Sequence, residues 1–410
     1  MDKVRRFANE LLDGQTTEYV KTPAKMAERL TNLTSGSDLL ISTDDGLYCP
    51  EGGFHIDPWK VVERAVVTHA HSDHVTAGCG SYLCSTSGRR VLRERLGKEA
   101  TISGEDFGTM IRMRGVRVSL HPAGHILGSA QVRVERRVAN GGGVRKGEVW
   151  VFSGDYKIES DLTCQAFEPV PCDVFITEST FGLPIYRWGR TSDEFGRVNA
   201  WWRANAAQER TSVLFAYALG KAQRLLAGID PAIGPIAVHG AIDRFNKAYR
   251  DEGVSLPDAP HAIGETVSLV RGRGLLIAPP SALGSPWIRK FASTEQGFSA
   301  AVASGWMQVR GTRRRKAVDR GFVVSDHADW PGLLQAIKAT GATRVGITHG
   351  YVRQFAQWLS ESGYDTFALP TRYEGEREDD GAGSNLGEQE SVPDLVEPNA
   401  PSLLRPDAEK

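Results

Sequence analysis

Residues Thr68-His69-Ala70-His71-Ser72-Asp73-His74 set three imidazoles and a carboxylate within six consecutive positions, directly after the apolar run Ala65-Val66-Val67. A strand ending there delivers all four side chains into one small volume. Imidazole nitrogens and a hard carboxylate oxygen together suit Zn²⁺ or Mn²⁺. The spacing allows two ions, with His69 and His71 on one and Asp73 and His74 on the other. A pair of divalent metal ions bracketing a water is a device for hydrolysing phosphate esters. The plainer reading, a solvent-exposed histidine-rich loop, is disfavoured because the chain holds only ten His in 410 residues.

Further candidate ligands lie downstream. His125 sits in the Gly-containing turn His121-Pro122-Ala123-Gly124-His125-Ile126-Leu127-Gly128-Ser129 after a strand, and Asp155 ends another strand in Phe152-Ser153-Gly154-Asp155-Tyr156. A carboxylate is a natural bridge between two cations, because each of its oxygens can take one. His121 lies within a strand end and reads as structural. Positive charge for a polyanionic ligand is densest in Arg310-Gly311-Thr312-Arg313-Arg314-Arg315-Lys316, so Arg313, Arg314 and Arg315 are candidate phosphate contacts whose grip salt would weaken. Lys221 follows a glycine at a strand-to-helix turn, a place suited to anion binding. It lacks a full Walker pattern, which excludes nucleotide hydrolysis there. Trp188, Trp201, Trp202, Trp287 and Trp306 offer stacking surfaces but read mostly as core.

The elements that must position these groups are legible in outline. Short strands broken by turns run through Leu39–Ser42, Phe54–Asp57 and Val61–Thr68. Gly88–Leu96, together with the residues leading into it, reads as helical. Strands follow at Val116–Leu120, Ala130–Val134, Glu148–Phe152 and Phe175–Thr177, with a hairpin tip at Asn140-Gly141-Gly142-Gly143. The functional residues recur at strand ends, where loops gather on one rim of a layered fold. From about Thr191 to Arg320 buried strands (Ser212–Ala216, Pro235–His239, Leu275–Ala278) alternate with helices such as Lys221–Leu226, the pattern of a small open α/β domain with a mostly parallel sheet. Gly321–Val324 and Arg344–Thr348 then return to motif-bearing strands, so the α/β region reads as an insertion into a discontinuous host. Val4, Phe7, Ala8, Leu11 and Leu12 fall at helical spacing and open the chain with a short amphipathic helix.

Bulk composition agrees with a globular protein of about two domains: 40% hydrophobic and 24% charged residues leave nothing unusual to explain. No apolar run is long enough to span a bilayer, and the N-terminus lacks an apolar signal core, so a cytoplasmic protein is expected. Five Cys without a C-x-x-C pairing argue against a disulfide framework and a Cys₄ zinc site. The net charge of −1 is uneven: Glu374–Lys410 holds 11 acidic and 3 basic residues, or −8, which leaves +7 on the rest. A basic body fits a polyanionic ligand. The tail is polar, acidic and without periodicity, and is expected to be disordered.

The set His69, His71, Asp73, His74, His125 and Asp155 resembles the metal site of the metallo-β-lactamase fold, an αββα sandwich with one or two metals at the sheet rim. Asp57, closing a strand just upstream, resembles that family's first motif, whose duty is to hydrogen-bond and orient the metal-holding groups. Three more segments, Ile176-Thr177-Glu178-Ser179-Thr180-Phe181-Gly182, Val324-Ser325-Asp326-His327-Ala328-Asp329 and Thr348-His349-Gly350, resemble the extra motifs of the β-CASP nucleases, the branch with an inserted α/β cap. The resemblance implies that His349 binds the second metal, that His327 stands by the scissile phosphate as donor or general acid, and that Glu178 orients His327 or a neighbouring ligand. Asp73 or Asp155 would receive the proton of the attacking water.

Within this branch, Gly46-Leu47-Tyr48-Cys49-Pro50, Phe54-His55-Ile56-Asp57-Pro58-Trp59, Tyr217–Arg224 and Ala278-Pro279-Pro280-Ser281-Ala282 resemble the bacterial DNA ligase-associated exonucleases. The likeness covers roughly residues 39–372. It implies an extension at 1–38, a metallo-β-lactamase domain in two parts at 39–190 and 320–373, the β-CASP cap at 191–319, and an acidic tail at 374–410. It further implies a metal-dependent exonuclease acting on DNA strands or ends in repair, with 5′ polarity by analogy to crosslink-repair relatives, and an ATP-dependent DNA ligase and a helicase as partners. Two alternatives stay open. One is an RNA-processing nuclease of the same branch, because DNA-directed members often carry an apolar residue where this chain has His349. The other is a non-catalytic metal-binding subunit of a nucleic-acid-processing assembly. A secreted lactamase is disfavoured by the insertion and the missing signal.

Overall fold

The computed structural model describes residues 38–140, 143–292, 297–309 and 318–370. The expected opening helix, the basic run at 310–316 with Arg313, Arg314 and Arg315, and the acidic tail at 374–410 lie outside them. The first sheet takes its strands in chain order: β1 (Ile41–Thr43), β2 (Gly46–Cys49), β3 (Phe54–Ile56), β4 (Arg64–Val66), β5 (Ser81–Ser85) and β6 (Ile102–Glu105). It is antiparallel from β1 to β3 and parallel from β3 to β6. Helix α1 (Arg89–Leu96) connects β5 to β6. The residues leading into α1 are therefore a strand, not helix as their sequence suggests. Tyr82 and Cys84 are buried while Ser81 and Leu83 are only partly so, a period-2 pattern that pairing with β4 and β6 stabilises.

The second sheet begins with β7 (Ile111–Met113), β8 (Val116–Pro122), β9 (Ala130–Asn140), β10 (Gly143–Phe152) and β11 (Val174–Ser179). The chain then builds a third sheet. Helix α2 (Thr191–Ala206) precedes β12 (Thr211–Phe215), α3 (Lys221–Gly228), β13 (Ile236–Val238), α4 (Gly240–Asp251), α5 (Glu265–Val270), β14 (Leu275–Ala278), β15 (Phe298–Ala303) and β16 (Arg320–Phe322). Its order is β13-β14-β12-β15-β16, parallel throughout. Helix α6 (Trp330–Thr340), β17 (Arg344–Gly350), α7 (Val352–Glu361) and β18 (Asp365–Ala368) return the chain to the second sheet, whose order is β18-β17-β11-β10-β9-β8-β7. Arg320–Phe322 pairs with β15, so the third sheet extends past residue 319, where the sequence places its end.

Side-chain alternation divides each strand between two cores. On β10, Trp150 and Phe152 face the core shared with the first sheet, where they meet Phe54, Ile56 and Val66. Val149 and Val151 face the opposite side with Leu333 and Ile337 of α6 and Phe355 and Leu359 of α7. In β4, Val66 joins the shared core, whereas Ala65 joins a cluster with Val91 and Leu92 of α1 and Phe245 and Tyr249 of α4. Strands buried on both faces read as continuous apolar runs, which is why β10, β12 and β14 are legible in the sequence. The third sheet is also covered twice, with Leu214 on one side and Val213 and Phe215 on the other. All five cysteines are free, three of them buried. No helix among the described residues is long and apolar enough to cross a membrane.

Strand direction gathers the ends that matter. Strand β9 runs antiparallel to both β8 and β10, while β11 and β17 run parallel to β10. The C-terminal ends of β8, β10, β11 and β17 thus share one rim. The turn after β8 is closed by Gly128 at φ +73°, and a Cβ there would strike the backbone of Gly88. Gly128→Ala is expected to destabilise the protein by about 2 kcal/mol, from left-handed strain and the lost close approach. Urea unfolding against wild type measures this; an unchanged midpoint would show that the turn tolerates a Cβ.

Candidate metal centre

Asp57 follows β3 with φ +44° and directs both carboxylate oxygens inward. Its Oδ1 accepts from the Thr68 amide (2.8 Å), and its Oδ2 from the Thr68 hydroxyl (2.6 Å) and the His74 Nδ1–H (2.7 Å). The Thr68 proton is thereby committed, so Thr68 Oγ1 accepts from His69 Nδ1 at 3.0 Å and leaves His69 Nε2 without a proton. His71 donates Nε2–H to the Leu219 carbonyl (3.1 Å), and His125 donates Nδ1–H to the Asp326 carbonyl (2.8 Å). A carbonyl only accepts, which assigns the tautomer each ring takes when neutral, as it must be to bind a metal: His71 then offers Nδ1 and His125 offers Nε2.

These three bare nitrogens converge. His71 Nδ1 lies 3.1 Å from His69 Nε2 and 3.1 Å from His125 Nε2. With the three rings neutral in these tautomers no proton lies between them, and the lone pairs oppose one another unless a cation stands among them. Two nitrogens bound tetrahedrally to one Zn²⁺ at about 2.0–2.1 Å are separated by roughly 3.3 Å. The donor set thus fits a divalent cation, and hydrogen bonds on the far ring nitrogens orient each ligand.

Asp155, after β10, joins this group to a second one. Its Oδ2 lies 3.7 Å from His69 Nε2, 3.3 Å from His74 Nε2 and 3.9 Å from His125 Nε2, and its Oδ1 lies 3.9 Å from His349 Nδ1. His69, His71, His125 and Asp155 form one cluster of possible ligands; Asp73, His74 and His349 form another. This is the partition that spacing suggested for His69 with His71 and for Asp73 with His74. His349 reaches its place through a bulge in β17: the register with β11 shifts between Glu178 and Ser179, and His349 takes φ +52°. A bulge re-aims a side chain, and left-handed backbone away from glycine concentrates at functional sites.

The electrostatics follow from burial and charge. Burial, then the neighbouring imidazoles of His74, His125 and His71, hold His69 well below the ordinary imidazole range. Burial and then His327 do the same to His125, and burial and then His74 lower His349. Neutral imidazoles are what a metal requires. His74 differs. Burial pushes it down, but Asp155, Asp73 and Asp57 outweigh that and raise it well above the usual value. Burial by itself raises the Asp155 carboxyl, yet His74 and the other imidazoles hold it well below the usual carboxylate range. The carboxylates call for positive charge, which either a proton on His74 or a bound cation supplies. Saturating Zn²⁺, at about 100 times its Kd, is expected to stabilise the fold by about 2.7 kcal/mol over chelator-treated protein. The gain shrinks as pH falls and protons compete for His74. Thermal unfolding with and without chelator checks this, and equal midpoints would count against a metal site.

Beside the second edge of the cluster, Glu178 at the end of β11 is fully buried. Its Oε1 accepts from the Tyr156 amide (2.7 Å), and its Oε2 lies 2.8 Å from His327 Nδ1. Burial raises the Glu178 carboxyl despite the opposing pull of His327. The His327 ring lies tilted against that of His125, centroids 4.6 Å apart, and borders a groove lined also by Trp188, Arg190 and Lys157. On the other side, Asp57, Asp73, His74 and His349 line a pocket with Trp59 and Leu369. The structure therefore brings together Asp57, His69, His71, Asp73, His74, His125, Asp155, Glu178, His327 and His349.

Lys221 requires correction. It is fully enclosed, with Nζ 3.1 Å from Asp326 Oδ1 and 4.4 Å from the Tyr217 ring centroid. A phosphate backbone cannot reach it, so it is not a surface contact for nucleic acid. Glycine followed by lysine at a strand-to-helix turn reads the same whether the amine meets solvent or a buried carboxylate. Asp326, the neighbour of His327, is the buried partner of Lys221, and nothing in Val324-Ser325-Asp326-His327 marks it as such in the sequence. Trp201 and Trp202 are buried, while Trp188, Trp287 and Trp306 are half-buried.

No family model matches the chain. It is 31% identical over 325 residues to "Probable DNA ligase" of Opitutus terrae, an alignment covering 79% of this chain and 30% of that protein. It is 32% identical over 127 residues to "Endoribonuclease YSH1" of Eremothecium gossypii, covering 30% of this chain and 15% of the relative. It is 27% identical over 194 residues to "Cleavage and polyadenylation specificity factor 73" of Drosophila melanogaster, covering 43% and 27%. The chain thus spans about a third or less of the length of these relatives. Its motifs and these similarities agree: the chain resembles the β-CASP nucleases of the metallo-β-lactamase fold.

Proposed function

We propose that this chain is a metal-dependent phosphodiesterase that cuts DNA from an end, with 5′ polarity, in DNA repair. One observation carries the hydrolytic reading: three imidazole nitrogens converge at 3.1 Å contacts, and the Asp155 carboxylate lies between them and a second ligand cluster, 3.3 Å from His74 Nε2, beside a buried carboxylate–imidazole pair. In this reading the two sheets that share a core are the metallo-β-lactamase sandwich, and the five-stranded parallel sheet is the inserted β-CASP cap.

Two divalent ions, Zn²⁺ or Mn²⁺, would supply charge neutralisation of the phosphodiester and a lowered pKa for water. His69, His71 and His125 would hold one, Asp73, His74 and His349 the other, and Asp155 would face both. Asp57 holds His74 by its ring N–H and, through Thr68, His69. Glu178 fixes the His327 ring by accepting from Nδ1, which presents the opposite edge of the imidazole for proton donation to the departing sugar oxygen. Asp155 or Asp73 takes the proton of the attacking water.

The DNA assignment rests on the extent of similarity: 79% of this chain aligns with a protein named as a DNA ligase, against 30% and 43% with the two proteins named for RNA cleavage or polyadenylation. That ligase-named relative is far longer than the aligned part, which supports joint action with an ATP-dependent DNA ligase. A helicase partner, a cytoplasmic location and phosphate contacts from Arg313, Arg314 and Arg315 complete the proposal. His349 favours the second reading, an RNA-processing nuclease. Matched DNA and RNA strands labelled at either end, digested with Zn²⁺ or Mn²⁺, test both. The expected result is stepwise loss of nucleotides from the 5′ end of DNA. Faster cleavage of RNA would reverse the substrate assignment, and no cleavage of either would leave a non-catalytic subunit.

A further inference from the structure

We propose that the buried Lys221–Asp326 ion pair is a positioning device for the metal site, stapling together the two loops whose carbonyls select the tautomers of His71 and His125. The proposal rests on the metal-site reading above. The acceptor for His71 is the Leu219 carbonyl, in the loop after β12; the acceptor for His125 is the Asp326 carbonyl, in the loop after β16. Both strands belong to the five-stranded sheet, which holds none of His69, His71, Asp73, His74, His125, Asp155 and His349. That sheet therefore decides which nitrogen each of two imidazoles offers to the ion.

Each loop is short of regular structure and needs fixing from outside. Lys221 stands two residues beyond Leu219, and its ammonium lies 3.1 Å from the carboxylate of Asp326 itself. The link thus runs directly from one acceptor loop to the other. Gly220 between them has φ +87°, and a Cβ there would collide with Ile126 in the His125 turn, so the loop packs directly against that turn. Gln223 holds the loop from inside, accepting from the Gly220 amide (2.7 Å) and donating to the Ala218 carbonyl (3.1 Å). On the other side, Lys157 donates to the Ser325 carbonyl (2.9 Å), and Arg224 donates to the His125 carbonyl (2.9 Å) while pairing with Asp161 (2.6 Å). Ser325-Asp326-His327 consequently serves two centres at once, orienting His125 through a carbonyl and presenting His327 to Glu178.

Two charges withdrawn wholly from water add little net stability over apolar residues of similar volume. What this pair supplies is position: partners that orient a ligand's remote nitrogen govern metal affinity by about 10–100-fold.

The test uses the full chain, stripped with chelator and titrated with Zn²⁺ alone against a chromophoric chelator. Lys221→Met combined with Asp326→Asn removes both charges of the pair and keeps the Asp326 carbonyl. The expected result is about 10–100-fold weaker Zn²⁺ binding at His69, His71 and His125, with the binding at Asp73, His74 and His349 unchanged. In the metal-free protein, ¹⁵N signals of the His71 and His125 rings should pass from single tautomers to mixtures. Unchanged affinity and unchanged ring signals would overturn the proposal, whatever the unfolding temperature. If the double variant does not fold, wild type still decides: His71 protonated at Nδ1, or His125 at Nε2, in the metal-free protein overturns it, and the opposite tautomers support it. Wild type that binds no Zn²⁺ overturns the metal-site reading itself.

Discussion

Asp155→Ala is expected to lower kcat/KM for end-labelled DNA by at least about 10³-fold and to reduce bound metal. Asp155 faces both ligand clusters, with Oδ2 toward His69, His74 and His125 and Oδ1 toward His349. Charge stabilisation by a metal contributes several kcal/mol to a transition state, and each 1.36 kcal/mol is tenfold in rate. Removing the carboxylate takes away both attraction for the ions and a proton acceptor. It also removes the strongest influence that raises His74, so that imidazole returns toward its neutral form. Metal analysis alongside the cleavage assay checks the prediction. Full activity in the variant would refute a catalytic role for the whole cluster.

His327→Ala should lower kcat by about 10²–10⁴-fold, the range for loss of a positioned general acid, with KM and metal content retained. His327 stands with Asp155 and Glu178 in a further group of possible ligands, but its Nδ1 is occupied by Glu178 at 2.8 Å. Its contribution is proton delivery, so a substrate whose leaving group needs no proton isolates it. On a nitrophenyl phosphodiester the loss should fall below tenfold, because that anion departs unaided. Equal losses on both substrates would assign His327 to metal binding or structure instead. Its groove, with Trp188 donating Nε1–H to the His327 carbonyl at 3.2 Å, holds the loop while the ring acts.

Most of the candidate metal ligands were legible because chemistry concentrates them: four lie within six residues, and His125 and Asp155 follow strands. Asp57, Glu178, His327 and His349 required the family resemblance, since a lone carboxylate or imidazole at a strand end carries no signal of its own. The bulge that turns His349 inward was not legible, because nothing in Thr348-His349-Gly350 distinguishes a bulged residue from a paired one. The strand at Ser81–Ser85 is masked in the sequence for a related reason: a short run with one aromatic and one cysteine facing inward sets too weak a period against an adjacent helix.

Residue chemistry in linear order determined by itself which side chains can bind a divalent cation, that they stand at strand ends, and that an α/β segment interrupts their host. Only the tertiary structure decided which nitrogen each imidazole offers, because the deciding acceptors are backbone carbonyls at Leu219 and Asp326, and every residue in the chain carries one. It likewise decided that Lys221 meets a buried carboxylate instead of solvent. Both outcomes depend on contacts between segments more than 100 residues apart, such as Lys221 with Asp326 and Leu219 with His71, and long-range packing of that kind leaves no local mark in a sequence.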